Sequence, residues 1–514
     1  MYSTNNKRIA KNTLLLYFRM MLVMLVTLYT TRIVLSSLGV EDYGIFSVVG
    51  GIVTMFSFLS GTMASASQRY FAFELGKNNF EQLQKTFNMS IIIYAVIAII
   101  ILIFAETIGL WFLNTKINIP AERLDAARWV YHFSILSFIF TILAIPYNAL
   151  IIAYEDMKIY AYVGIVEVIL KLAIVYLLLL ISFDKLKLYS VLMFVVTLMI
   201  TFTYRIICKK KYNKGRFIYN WDNKLFKEIL TYSGWNLFGS ISSVVMGQGI
   251  NILLNVFFNP TINAARGISF QISMAIKSFS NNFYTAVKPQ VTKYYAQEDM
   301  ENMNRLVIQS SKFSFFLLLL LSVPIINETP KILELWLKEV PDYTVLFTQL
   351  LIVNILLESL SNPLRTVAQA TGNVKIYQSI VGGLQIMNLP ISYIFLKNGF
   401  QPEVTFIIAI IISLICLFAR LMILRNLVQF DIKRFSKSVL APITLVSVLS
   451  FGVTIPSSLY IINSTMGSLL SILICIVSVG VFVFFIGLNR NEKNVIIRVL
   501  KKIKLNDVSK LFHF

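Results

Sequence analysis

The sequence predicts an all-α polytopic membrane protein of about fourteen transmembrane helices, built as two parallel six-helix lobes plus two C-terminal helices. Three observations predict it: apolar segments long enough to cross a bilayer, a motif that returns one six-helix interval later, and loops that alternate between basic and charge-poor.

Of 514 residues, 57% are apolar and only 14% charged, too little polar surface for a soluble chain of this length. A spanning helix needs about 20 apolar residues. Such segments run 13–38, 45–66, 87–112, 126–150, 159–182, 188–208, 230–258, 264–287, 309–326, 344–367, 377–396, 403–424, 439–462 and 467–487. Ser90 to Ala105 and Phe313 to Leu321 are apolar on every side, unlike the alternating strands of a barrel. Lys7, Arg8 and Lys11 precede an apolar stretch longer than a signal-peptide core, with no small-residue cleavage site, so the first helix is expected to stay in the membrane.

The repeat is read from Lys158-Ile159-Tyr160, which returns as Lys375-Ile376-Tyr377, 217 positions later. Pro146 and Pro363 keep the same spacing, as do Tyr176 and Tyr393. Leu110-Trp111 closes the third span and Leu335-Trp336 the ninth, while Tyr70 to Phe87 matches Gln290 to Val307. Six spans per unit return the chain to its starting side, so the units are parallel and related by an axis along the membrane normal, the architecture of a transporter. The expected division is an N-terminal lobe 1–208, a basic linker 209–229, a C-terminal lobe 230–426, helices 13 and 14 within 427–488, and a basic tail 489–514. Asn494 to Leu505 has the pattern of a helix lying in the interface.

The net charge is +21, but its placement argues against nucleic acid. Most Lys and Arg fall in the two terminal tails and the loops following even-numbered spans, which places both termini in the cytoplasm. The linker, with Lys209, Lys210, Lys211, Lys214 and Arg216, is expected to meet anionic lipid head groups. Cys208, Cys416 and Cys475 show no CxxC spacing, and His132 and His513 are the only histidines, so neither a disulfide framework nor a zinc site is expected. The chain lacks GxxxxGK[ST], HExxH and a credible Ser-His-Asp set, and its outer loops are short, so it is expected not to be an enzyme and to need no cofactor.

Ionisable residues inside spans are costly and are the first places to look for function. Arg19, Arg32, Lys171, Arg266 and Lys277 stand out against Glu167 and Glu358. At 1.5 Å per residue the cations are spread through the membrane, with Lys171 and Lys277 near its middle, as a path for an anion requires. Arg19 and Arg266 lie close enough to boundaries to snorkel instead. Glu167 and Lys171 are one turn apart and are able to neutralise each other. Lys277 has no acid in its own span. Asn236, Gln248, Asn251, Asn255, Gln271, Asn281 and Asn282 are either interhelical hydrogen-bond partners or a hydrated, sugar-binding wall.

Twelve spans in two parallel lobes plus two more, and the stretch Thr31-Arg32-Ile33-Val34-Leu35 followed by Leu38-Gly39-Val40-Glu41-Asp42-Tyr43-Gly44-Ile45-Phe46, resemble the polysaccharide-transport branch of the multidrug/oligosaccharidyl-lipid/polysaccharide exporter superfamily, the O-antigen flippases. The resemblance implies an inner-membrane flippase for an undecaprenyl-pyrophosphate-linked oligosaccharide, acting beside polysaccharide polymerase machinery. Arg32, Lys171, Arg266, Lys277 and Arg19 would meet the cargo, and Glu167 or Glu358 would take up a coupling H+ or Na+. The related lipid II flippases use arginines in their first, second and eighth helices. Arg32 and Arg266 fit the first and eighth, but Ile45 to Ala66 carries no charge. The multidrug branch is the other alternative, although its coupling acids have no counterpart in the first two spans.

Overall fold

The computed structural model describes residues 2–54, 57–116, 119–181, 183–212, 217–258, 260–337, 340–460, 465–490 and 492–494. The tail expected to form an interfacial helix lies almost wholly outside the described residues, and so does the side chain of Arg32. The described chain is helical throughout: α1 (Tyr2–Thr54), α2 (Ser57–Gly76), α3 (Phe80–Phe104), α4 (Leu110–Lys116), α5 (Leu124–Ala153), α6 (Met157–Leu180), α7 (Lys185–Lys211), α8 (Asn223–Phe257) and α9 (Pro260–Ala296). There follow α10 (Met300–Asn327), α11 (Thr329–Trp336), α12 (Thr344–Ala370), α13 (Lys375–Ile386), α14 (Asn388–Lys397), α15 (Val404–Val428), α16 (Ile432–Phe435), α17 (Ala441–Tyr460) and α18 (Thr465–Phe482).

Among the described residues, eleven helices are long and apolar enough to cross a membrane. They cover the third to seventh and ninth to fourteenth expected spans; the first, second and eighth fall on α1, α2 and α9. α1 runs through two expected spans, and Gly39 divides it (φ 81°, ψ 167°), a left-handed backbone that glycine adopts without a Cβ clash. α3 continues into α4 through a π-helical turn, Ala105–Gly109. Tyr131 donates to the Ala105 carbonyl there at 2.6 Å, and a Cβ on Gly109 would lie 2.0 Å from the same hydroxyl. A π turn leaves a carbonyl without its usual helical partner, and this tyrosine supplies one.

Contacts divide the chain into two compact units that do not follow the halves of the sequence. The first comprises Met1–Val245, Asn282–Met303 and Arg365–Gly383; the second comprises Met246–Asn281, Asn304–Leu364 and Leu384–Phe514. In the first unit α5 packs on α7, α1 on α6 and α2 on α5. Its core joins Phe71, Phe87, Tyr94 and Leu150 to Tyr232 on α8 and Val374 ahead of α13. In the second, α17 packs on α18 and α14 on α15.

The Leu38–Phe46 stretch has a structural use. Arg123, just before α5, donates to Asp42 at 2.7 Å and to Asp184 at 2.9 Å. Asp184 also caps α7, accepting from the amides of Leu186 and Lys187. Partial burial opposes ionisation of Asp184, but Arg123 and these amides outweigh it and hold its carboxyl below the usual range. A depressed carboxyl contributes stability above its unfolded pKa and loses it as pH falls through the folded one. Asp184→Asn is therefore expected to lower stability by about 1–2 kcal/mol at pH 7. The gap from wild type should close in thermal melts taken toward pH 3; a gap independent of pH would count against the clasp.

Candidate functional site

In the first unit, Arg19 lies over the ring of Tyr160, 4.5 Å from its centroid, beside the backbone of Gly164. A Cβ on Gly164 would come within 2.1 Å of Arg19 Nε, so the niche requires glycine. Arg19 is thus held by the repeated Lys-Ile-Tyr motif rather than extended toward head groups. One turn further along α6, Lys171 donates to Glu167 at 2.6 Å, and the two side chains are 37% and 33% exposed. They pair with each other while each side chain stays about one-third exposed.

In the second unit, Lys277 on α9 donates to Glu358 on α12 at 2.7 Å, with exposures of 37% and 36%. Its own span offers no acid, but a neighbouring helix does. A residue expected to meet cargo and one expected to couple are therefore the two halves of one ion pair. Arg266 donates to the Gly247 carbonyl at 2.8 Å and to Asn251 at 3.2 Å, and lies over Phe270. These bonds tie it to α8 and remove the freedom that snorkelling needs. Asn263 also donates to Asn251, at 3.0 Å.

The polar ends of α2 and α9 form the densest array. Glu155, which follows α5 and has a 1% exposed side chain, accepts from Lys293 at 2.6 Å and Gln290 at 2.5 Å, both on α9, and pairs with Arg8 at 2.7 Å. Its carbonyl accepts from Asn12 at 3.2 Å. A matching contact lies one repeat away. Arg69 on α2 donates to the Ala370 carbonyl at 3.0 Å and packs on Gly372, which is 217 positions after Glu155. Both loop residues take positive φ, 63° at Glu155 and 79° at Gly372. Thus the end of α9 grips the loop after α5, and the end of α2 grips the loop after α12. The two loop positions are 217 residues apart, the spacing of the sequence repeat.

Residues 16–177 and 227–394 match the MatE family. The chain belongs to the MatE family. Its fold agrees with solved MatE-type transporters at low sequence identity. One is described as an outward-facing conformation of a multidrug resistance MATE family transporter of the MOP superfamily (14% identity, TM-score 0.70, covering 84% of this chain and 96% of that one). Another is a MATE in complex with MaD3S (15%, 0.66, 83% and 97%). A third, from Pyrococcus furiosus, is described as a MOP superfamily transporter whose reverse polarity of binding pocket suggests a different function (15%, 0.68, 82% and 95%). No curated protein matches the sequence. Family and fold make this a multi-pass membrane transporter, and MATE transporters are not enzymes.

Several residues of this MatE chain escape a sequence reading. Lys312, Arg365 and Arg420 lie within expected spans but outside the set read from the sequence: Arg420 sits in a long apolar run, while Lys312 and Arg365 sit near span ends among polar residues such as Ser310, Ser311, Asn362 and Thr366. Arg420, buried in α15, donates to Ser361 on α12 at 2.9 Å. Lys288 donates to Ser65 at 2.7 Å and has Arg365 as a charged neighbour. Ser65 leads to Gln369, which with Gln378 donates to Asn236. Asn236 is 4% exposed, so this amide is an interhelical link rather than part of a hydrated wall. The signal that would have found Glu155 is the repeat itself: it occupies the position that glycine holds in the second copy.

Proposed function

We propose that this MatE-family chain is a flippase that carries an undecaprenyl-pyrophosphate-linked oligosaccharide from the cytoplasmic to the periplasmic leaflet of the inner membrane. The proposal takes fourteen spans in two lobes that rock about a central path, with both termini cytoplasmic. The observation that carries it is the pair of half-exposed lysine–carboxylate couples, Lys171–Glu167 and Lys277–Glu358. Each lysine is the proposed resting site for an anion: arriving pyrophosphate competes with the carboxylate for the ammonium. The released Glu358 or Glu167 is the proposed site of the coupling ion, H+ or Na+. Arg19, on α1 against Tyr160 of α6, and Arg266, on α9 with Lys277, supply further positive charge, and Arg32 belongs to the same proposed set. The lipid tail remains in the bilayer while the head group moves.

The contacts of Glu155 and Arg69 support a gate at the cytoplasmic end. Both repeats contribute to it, so it must open for cargo to enter and close for cargo to leave. A multidrug antiporter is the second reading, favoured by the described activity of one solved relative. The cationic spans and the lack of an acid in the first two spans weigh against it, and the charge-free second span, Ile45 to Ala66, weighs against a lipid II flippase. Deletion of the gene decides between them. The flippase reading expects lipid-linked oligosaccharide to accumulate in the cytoplasmic leaflet, with loss of surface glycan. Unchanged glycan together with hypersensitivity to cationic dyes would establish the antiporter.

A further inference from the structure

A second charged site lies in the second unit, at the foot of the helices that stand outside the repeat. A cleft of about 600 Å3, open mouth included, is lined by Arg305, Ile308, Gln309, Lys312, Arg434, Ser438, Asn489 and Glu492. Arg305, Gln309 and Lys312 follow one another on successive turns of α10 and so share a face. Arg434 belongs to α16 and Ser438 to the π-helical turn that continues it toward α17. Asn489 and Glu492 follow the last helix and cap each other reciprocally. The Asn489 amide donates to Glu492 Oε2 at 2.8 Å, and the Glu492 amide donates to Asn489 Oδ1 at 2.9 Å.

The floor of the cleft is an ion pair withdrawn from solvent: Lys312 donates to Glu492 at 2.6 Å, with side chains 4% and 3% exposed. Glu492 is thus committed to Lys312 and to a backbone amide. Asp431 caps α16 by accepting from the Arg434 amide at 2.9 Å. The lining holds three cations and one carboxylate, with the amides of Gln309 and Asn489 and the hydroxyl of Ser438 as further polar groups. Arg305 on α10 and Arg434 on α16 both line the cleft, and guanidinium groups suit a tetrahedral oxyanion, which they grip through paired N–H donors. The segments that carry Arg434, Asn489 and Glu492 also carry Lys433, Lys437, Arg490 and Lys493, and basic pockets between helices are where anionic head groups bind.

We infer that this cleft is a binding site for a phosphoryl group, supplied by the head group of an anionic phospholipid, which anchors α17 and α18 to α10. It is independent of the cargo assignment, since the residues of the two sites do not overlap. Purified full-length protein is titrated with phosphatidylglycerol, phosphatidylcholine or inorganic phosphate, and bound lipid is counted by native mass spectrometry. The expected result is one retained phosphatidylglycerol that phosphatidylcholine does not replace and that Arg305→Ala/Arg434→Ala weakens about ten-fold or more. Lys312 is left intact to preserve the floor, and an unchanged melting temperature in lipid-free detergent establishes that the variant is folded. Arg305→Lys, which keeps the charge but loses the forked donors, should bind at an intermediate level. Saturation by millimolar inorganic phosphate, lost in the double variant, keeps the site and assigns it to the free anion. Equal retention of phosphatidylglycerol by wild type and the double variant overturns the inference.

Discussion

Glu155→Ala is expected to be the most damaging single substitution outside the helix cores. It removes one carboxylate that serves Lys293, Gln290 and Arg8 together, and leaves Lys293, whose side chain is 18% exposed, without its counter-charge. Breaking a buried pair costs about 3–5 kcal/mol, less here because Arg8 is half-exposed, so a loss of about 2–4 kcal/mol is expected. If the contact is a gate, the effect exceeds lost stability. Cysteines placed along α2 and α9 should become labelled from the cytoplasmic side, and transport should fall at least ten-fold. Arg69→Ala, at the repeat-related contact, should act in the same direction. Glu155→Gln keeps the shape but not the charge and should lie between Ala and wild type. Unchanged labelling and transport in Glu155→Ala would rule out the gate, leaving Glu155 as a packing residue.

Exchanging the charges of Lys277 and Glu358 separates two roles that a single substitution confuses. Lys277→Ala alone is expected to abolish transport, but that also follows if the pair merely holds α9 to α12. Lys277→Glu/Glu358→Lys preserves an ion pair between the same helices. A structural pair is rescued by the exchange, with melting temperature and transport both restored. A lysine that receives an anion is not, because the cation has moved to the other helix. The expected outcome is a melting temperature within a few degrees of wild type and transport still at background. Restored transport would remove Lys277 from the cargo path and leave its bond to Glu358 as a helix clamp.

Arg266 illustrates how far a sequence reading reaches. Its position near the end of a span is visible, but snorkelling and burial look identical until Gly247 and Asn251 are seen beside it. Asn236 is similar: an amide within an apolar segment is conspicuous, yet whether water or Gln378 satisfies it depends on a helix 142 residues away. Arg420 fails the other way. Hydropathy averages over a window, and one cation among neighbours such as Leu417, Leu421 and Ile423 barely alters the average. Asp42 belongs to the Leu38–Phe46 stretch that carries the family resemblance, and in the fold it accepts from Arg123.

Helix type, the approximate positions of the spans and the internal repeat follow from the sequence alone. Each depends on local apolar length or on fixed spacing along the chain, and in lipid a backbone must satisfy its own hydrogen bonds within the segment. Tertiary structure alone decided which charges on different helices meet, whereas Lys171 and Glu167, one turn apart, were legible as a pair. Lys277 finds Glu358 81 residues away, and Glu155 finds Lys293 138 residues away. The partners of a charge depend on how helices pack side by side, a sum of many weak contacts that leaves no period in the chain.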